Sequence, residues 1–236
     1  MIIDTKELYD FVKKASMNGS INTMYIDITK DGLHCRVKNS NNVCMTDVKL
    51  NKQIEDEEMY GRIYIKNSDM FMKILKTFGG DITVKRKGDY MLTISNSDRE
   101  AEIIMGSDMI VENIVEKELP VIPDTRTIEV DRAFLQGSLS DISLLKINEL
   151  NIKTKDEFLY FIVGSEGESD VLLNKKEIER GENINVSIGS YLKELTDSLD
   201  VRSTIEMSVG NQVPVVFKEV IGDFEFTCFI APIITE

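Results

Sequence analysis

Thr5-Lys6-Glu7-Leu8-Tyr9-Asp10-Phe11-Val12-Lys13-Lys14-Ala15 sets Leu8, Phe11, Val12 and Ala15 on one stripe. That is the i, i+3, i+4, i+7 spacing of a helix with a single apolar face. The pattern returns with Phe71, Ile74, Leu75 and Phe78, then with Leu135, Leu139 and Ile142, then with Leu192, Leu195 and Leu199. Leu8, Phe71, Leu135 and Leu192 are spaced by 63, 64 and 57 residues, and each stripe leads into strand and hairpin sequence. A helix-plus-strands unit repeated four times predicts four copies of one unit, grouped as two domains. Such repetition points to an assembly scaffold more than to an enzyme with one cleft.

Outward from the first helix, Ile2–Ile3 reads as a strand, with Asp4 as N-cap of a helix from Thr5 to Met17 and Glu7 placed for a capping box. Met24–Thr29, Leu33–Val37 and Val43–Leu50 follow as strands, with a tight turn at Lys30-Asp31-Gly32. The second copy runs as strand Arg62–Ile65, helix Ser68–Phe78 capped by Asn67 and stopped by Gly79-Gly80, then strands Ile82–Lys85, Tyr90–Ser95 and Glu100–Met105. The third has strand Thr127–Val130, helix Arg132–Ile142, and strands Leu150–Thr154, Phe158–Val163 and Ser169–Asn174. The fourth has Ile184–Ser187, a helix over Ser190–Leu199, and strands Ser203–Val209, Val213–Val220 and Phe224–Ile230. Between the halves, residues 113–125 hold two of the four prolines, Pro120 and Pro123. Proline fixes φ and lacks a donor, so this stretch reads as an extended connector between domains 1–112 and 126–236. Leu119, Val121 and Ile122 make it more apolar than a passive linker, so it is expected to pack on something.

With 42% hydrophobic residues the chain can bury real cores. No apolar run approaches the roughly 20 residues of a membrane helix. The strand and charged helix over Met1 to Lys14 do not read as a signal peptide. A cytoplasmic or nuclear protein, not a secreted one, is expected. Cys35, Cys44 and Cys228 have no metal-ligand spacing and read as buried, reduced thiols. The net charge of −13 argues against a simple nucleic-acid binder, but its placement is uneven. Residues 1–113 carry 16 Lys and Arg against 18 Asp and Glu, and residues 114–236 carry 12 against 23, so a cationic surface is expected mainly from the first half.

Catalytic chemistry is hard to find. His34 is the single histidine and sits inside a strand, where a structural role is the better reading. There is no Gly-x4-Gly-Lys-Ser/Thr loop and no strand-linked Gly-x-Gly-x-x-Gly. Glu166, Glu168 and Asp170 could hold a divalent cation but lack calcium-loop spacing, and a solvated hairpin is the better reading. Glu55–Glu58 reads as an exposed charged loop, and Lys85, Arg86 and Lys87 as a soluble hairpin end. No enzyme, metal or cofactor is expected. Lys6, Lys13 and Lys14 lie opposite the first apolar stripe, and Lys73 and Lys76 take equivalent places on the second helix. If the helices share one surface, these lysines form a track suited to phosphates and blind to sequence. The second half has Ser140 and Asp197 at the corresponding places, with Arg132, Lys193 and Arg202 as partial compensation.

Asp31-Gly32-Leu33-His34-Cys35-Arg36 with Asn42-Val43-Cys44-Met45-Thr46-Asp47-Val48, then Lys73-Ile74-Leu75-Lys76, Val213-Pro214-Val215-Val216 and Phe229-Ile230-Ala231-Pro232-Ile233, resemble the archaeal and eukaryotic sliding clamps, the proliferating cell nuclear antigen (PCNA) family. The resemblance covers essentially the whole chain, through the order and spacing of short motifs. It implies an α+β protein with two similar clamp-type domains, three chains closing head to tail into a ring, helices lining the hole and sheets outside. The implied function is a polymerase processivity factor that encircles duplex DNA and tethers polymerase, clamp loader and repair proteins. One subunit of a heterotrimeric ring is the alternative. By position, Lys13, Lys14, Lys73 and Lys76 match inner-wall lysines, joined by Arg132 and Lys193. The third helix, nearly free of positive charge and with Gly137 inside it, departs from that pattern. The family's partners insert a glutamine-and-aromatic motif into an apolar pocket, here Val43, Leu119, Val121, Ile122, Pro214, Phe229, Ala231 and Pro232, with Lys38 at the rim where the family has an apolar residue. The resemblance also implies a subunit contact pairing Met109, Ile110 and Val111 of one chain with Val171, Leu172 and Leu173 of the next.

Overall fold

The computed structural model describes residues 1–107, 118–147, 149–164, 171–189 and 191–234. The chain divides into two compact units: Met1–Lys117 with Val220–Phe226, and Glu118–Glu219 with Thr227–Glu236.

In the first unit β1 (Ile2–Asp4) leads into α1 (Thr5–Ala15) and β2 (Met24–Thr29), β3 (Gly32–Lys38) and β4 (Cys44–Asn51). The same order returns as β5 (Gly61–Ile65), α2 (Ser68–Leu75), β6 (Asp81–Arg86), β7 (Met91–Ser95) and β8 (Glu100–Ile104). The leading strands change places. β1 pairs antiparallel with β6, and β5 pairs with β2, giving the orders β1-β6-β7-β8 and β5-β2-β3-β4. Each motif therefore completes the other's sheet, and neither can close alone. The apolar stripes do the rest: Leu8, Phe11, Val12, Ala15, Phe71 and Leu75 are all buried.

Local chemistry sets the helix ends. The Asp4 carboxylate accepts from the backbone N–H of Lys6 at 2.9 Å and of Glu7 at 3.1 Å, satisfying two of the orphan donors of α1. Glu7 does not complete a capping box; its carboxylate pairs with Lys52. Asn67 caps α2 by accepting from Met70 N–H at 2.8 Å. The first helix ends at Ala15, two residues short of expectation, because Met17, Asn18 and Gly19 all take positive φ. Gly32 holds the β2–β3 turn at φ +139°, and a Cβ there would stand 1.9 Å from the Leu50 carbonyl oxygen, so only glycine fits. Glu55, Glu57 and Glu58 are exposed as expected, but Glu57–Met59 forms a short 3-10 turn that buries Met59. Arg86 likewise departs from a soluble hairpin end: it is half-buried and donates to the carbonyl oxygens of Met59 and Tyr60 at 3.2 and 3.4 Å.

The second unit repeats the plan as β9 (Arg126–Asp131), α3 (Arg132–Leu145), β10 (Leu150–Lys155), β11 (Phe158–Val163) and β12 (Leu172–Glu177). Then come β13 (Ile184–Ile188), α4 (Leu192–Ser198), β14 (Thr204–Val209), β15 (Val215–Ile221) and β16 (Phe224–Ile230). Again the leading strands exchange. β13 joins β10 in the order β12-β11-β10-β13, and β9 joins β14. Phe134 of α3 packs on Phe161 of β11 with ring centroids 4.7 Å apart, tying the helix to the inner sheet face. The strand expected over Ser169–Asn174 is shifted: β12 starts at Leu172 and extends to Glu177. Helix α3 runs three residues beyond expectation and ends where Lys146 turns left-handed at φ 57°.

Candidate nucleic-acid interface and partner surface

The lysines of the first unit fall into two classes. Lys13 is half-buried, and Lys73 and Lys76 are exposed. Lys76 Nζ stands 5.1 Å from the Tyr9 ring centroid, and Lys13 lies one helical turn beyond Tyr9. Lys73 pairs with Asp69 at 2.5 Å on the exposed side of α2. With Lys6, exposed on α1 and paired with Asp10 at 2.7 Å, these three make up the basic residues of the α1 and α2 surface. Lys14 does not join them. It is only 4% exposed, with its ammonium 5.3 Å from the Phe226 ring centroid, so its charge is spent inside the unit.

In the second unit the expected basic residues divide again. Arg132 Nε donates to the Thr196 carbonyl oxygen at 2.9 Å, so this half-buried guanidinium ties α3 to α4 instead of facing a ligand. Lys193 is exposed on α4. Arg202, also exposed, pairs with Asp200 at 3.4 Å.

The expected partner-pocket residues are located as follows. Val121 is 91% exposed, while Leu119 and Ile122 are half-buried. Phe229 is buried at the end of β16; Pro214, Ala231 and Pro232 are half-buried. Pro232 bridges to Ile188, and Ile233 N–H donates to the Ser187 carbonyl oxygen at 2.7 Å, which lays the tail along β13. In the first unit Lys38 closes β3 and is half-buried, as is Val43. The Asn39 side chain, 4% exposed, accepts from Val43 and Cys44 N–H at 2.8 and 3.1 Å and holds the loop between them.

Of the expected subunit contact, Leu172 and Leu173 belong to β12, which lies at the edge of its sheet, and Val171 stands just before it. Val171 and Leu173 are 41% and 51% exposed. Met109, Ile110 and Val111 lie outside the described residues, as do Glu166, Glu168 and Asp170. Among the described residues no group of three His, Cys, Asp or Glu could hold a metal ion, and no helix is long and apolar enough to cross a membrane.

One polar array has no counterpart in the sequence reading. On the first unit's sheet Asp47 accepts from His34 Nε2 at 2.8 Å and Arg36 Nε at 2.7 Å. Arg62 donates to both carboxylate oxygens of Asp27 at 2.7 and 2.9 Å and stacks 4.1 Å from the Tyr25 ring. Burial works against the Asp47 carboxylate, but the bonds from His34 and Arg36 outweigh it and hold its pKa below the usual range. Burial pushes the Tyr25 phenol up to about 12, so it stays neutral and accepts from Arg36 N–H at 3.2 Å. His34 thus has a structural partner. Burial also pushes the Cys35 thiol up, away from the thiolate a nucleophile needs, and all three cysteines are buried and outside any disulfide. The signal that was there to find is the alternation of His34, Arg36, Asp47 and Lys49 on paired strands.

No protein-family model matches the chain. A DNA polymerase sliding clamp of Thermococcus gammatolerans is 25% identical over 245 residues, spanning 98% of this chain and 96% of that protein. Among solved structures, A. fulgidus PCNA bound by the C-terminal region of FEN-1 superposes with a TM-score of 0.80 at 17% identity, covering 100% of this chain and 98% of that one. PCNA from Thermococcus kodakaraensis gives a TM-score of 0.80 at 17% identity, covering 99% of each chain. By sequence and by structure, and over its whole length, the chain matches the DNA polymerase sliding clamp (PCNA) family. Of the expected basic residues, Lys13, Lys73 and Lys76 lie on the helix surface, while Lys14 stands against Phe226 and Arg132 bonds the Thr196 carbonyl.

Proposed function

We propose that the chain is a polymerase processivity factor, a clamp that encircles duplex DNA and carries no catalytic chemistry. The observation that carries this reading is the fourfold strand–helix–three-strand motif, found end to end in a chain whose full length aligns with sliding clamps. Enclosure explains how a protein of net charge −13 works on DNA: a closed ring needs no tight binding, only a weakly basic inner wall. Lys13, Lys73, Lys76 and Lys193 supply that wall. The ring consists of three copies of this chain, joined where Met109–Val111 of one pairs with Val171–Leu173 of the next. A heterologous contact of this kind closes without leaving free strand edges. Leu119, Val121, Ile122, Pro214, Phe229, Ala231 and Pro232 take the aromatic anchors of a polymerase, loader or repair protein. The A. fulgidus PCNA bound by a FEN-1 C-terminal region is the relative that supports this choice of occupant. Its place of work is the cytoplasm of an archaeon or infected cell, or a nucleus.

The uneven charge of the halves favours one further reading, a subunit of a mixed ring that leaves DNA contact to other chains. Both readings are tested by primer extension on singly primed circular DNA with a cognate polymerase and loader. Product length is expected to rise when the chain is added alone. No change with the chain alone, but a rise once a partner subunit is supplied, would replace the homotrimer by the mixed ring. No change in either case would overturn the clamp reading.

A further inference from the structure

The outer face of the sheet β12-β11-β10-β13 has a composition unlike the rest of its unit. Phe161 and Leu159 of β11 point inward. Phe158 and Tyr160 point the other way and are half-buried. In register, Tyr160 is flanked by Lys153 on β10 and Lys175 on β12, and Phe158 by Lys155 and Glu177. The two rings lie 6.1 Å apart. Residues 114–236 carry only 12 Lys and Arg against 23 acids, yet three of those twelve stand on this one face beside two aromatic rings. Lys155 and Lys175 are exposed, and among the described residues neither has a carboxylate partner. Lys175 Nζ rests 3.5 Å from the Phe158 centroid. On the same sheet, a cavity of about 230 Å³ is lined by Glu149, Asn151, Lys153, Ile162, Asn185 and Ser187. Asn151 Nδ2 donates to Asn185 Oδ1 at 2.8 Å and to Ser187 Oγ at 3.1 Å, so amide and hydroxyl groups converge there.

We infer that this face binds single-stranded nucleic acid, with bases on Tyr160 and Phe158 and in the amide-lined cavity, and phosphates on Lys153, Lys155 and Lys175. Alternating cations and rings on an open sheet face suit a strand whose bases are unstacked and whose backbone is charged. A duplex hides the faces of its bases and gives the rings nothing to stack on. An acidic peptide would use the lysines and leave the rings and amides without a role. The charge complementarity is local and holds against an acidic unit. Lys175 has only to swing from the Phe158 ring to a phosphate, which frees that ring for a base. This inference stands on the side chains of one unit and holds for a monomer or a ring.

Anisotropy of a labelled oligothymidylate of about 15 nucleotides, titrated with the full chain across a salt series, tests it. Binding is expected with a log–log salt slope of roughly −2, from three phosphate contacts on a single strand. Lys155→Glu with Lys175→Glu, both exposed and harmless to the core, is expected to weaken binding by about tenfold or more. Tyr160→Ala is expected to weaken it by about fivefold or more, through lost stacking. Lys73→Ala with Lys76→Ala is expected to weaken it less than either sheet variant does, which separates this face from the helix surface. Absence of binding would overturn the inference. So would loss in the helix variant instead of the sheet variant. Equal competition by duplex of the same length, or by polyglutamate, would assign the face to generic charge or to an acidic peptide and overturn it as well.

Discussion

The two units share one architecture and place their positive charge differently. In the first, the helices present Lys73 and Lys76 exposed and Lys13 half-buried, while on the sheet β5-β2-β3-β4 Arg36 pairs with Asp47 and Arg62 with Asp27. In the second, the helices offer Lys193, with Arg132 turned to a helix carbonyl, and Lys155 and Lys175 stand exposed on the sheet face with no carboxylate partner among the described residues. An apolar stripe returns in every copy, since each helix packs on a sheet, with Leu139 and Ile142 of the third only half-buried. Surface charge is under no such packing constraint, so duplicated motifs can keep a fold while moving an interface from one side to the other.

The first way to break this comparison is through the cores. Phe11 and Phe161 are both fully buried, and Phe11→Ala and Phe161→Ala are each expected to cost about 3–5 kcal/mol in denaturant unfolding. A much smaller loss at Phe161 would mean that the second unit is loosely packed and that its differing surface reflects slack. Next comes the paired sheet of the first unit. Asp47→Asn strips a buried acceptor from His34 and Arg36 and is expected to cost about 1–3 kcal/mol at neutral pH. The sign follows from the depressed carboxylate: its stabilisation is full above the unfolded value of about 3.9 and is lost as pH falls through the lower folded value. The Asn variant is therefore expected to lack that limb of the acid unfolding curve, and an unchanged limb would refute the assignment.

The helix surfaces sharpen the contrast more directly. Lys13→Ala, Lys73→Ala and Lys76→Ala together are expected to reduce clamp-stimulated synthesis by about tenfold, close to 1.4 kcal/mol. Lys193→Ala alone is expected to change it by less than about twofold. Equal effects would erase the distinction between the units. On stability, Asp4→Ala is expected to cost about 1 kcal/mol through loss of the α1 cap, measured by denaturant unfolding. Helix α4, whose N-cap residue Tyr191 makes no side-chain cap bond, has no such contribution to lose.

Much of the fold was legible because it is written in local patterns. The alternation of Phe158–Val163 and the run Phe224–Ile230 mark strands with the bounds found in the structure. The four stripes mark the four helices. What could not be read is long-range. No sequence pattern announces that β1 pairs with β6 and β5 with β2, because strand exchange depends on partners dozens of residues away. The site suffered from the same limit. Lys13 and Lys14 look alike on paper, yet a shift of one position, about 100° of helix, takes Lys14 from the surface to Phe226. Arg132 looks like a phosphate ligand until Thr196, 64 residues on, supplies its acceptor. The aromatic and lysine rows of the second unit emerge only when β10, β11 and β12 are set in register.

Light scattering of the purified chain across a concentration series addresses the ring itself. A stable mass of three chains, held on dilution, is the expected result for a self-closing clamp. A single-chain mass at every concentration would contradict it and leave closure to a different subunit.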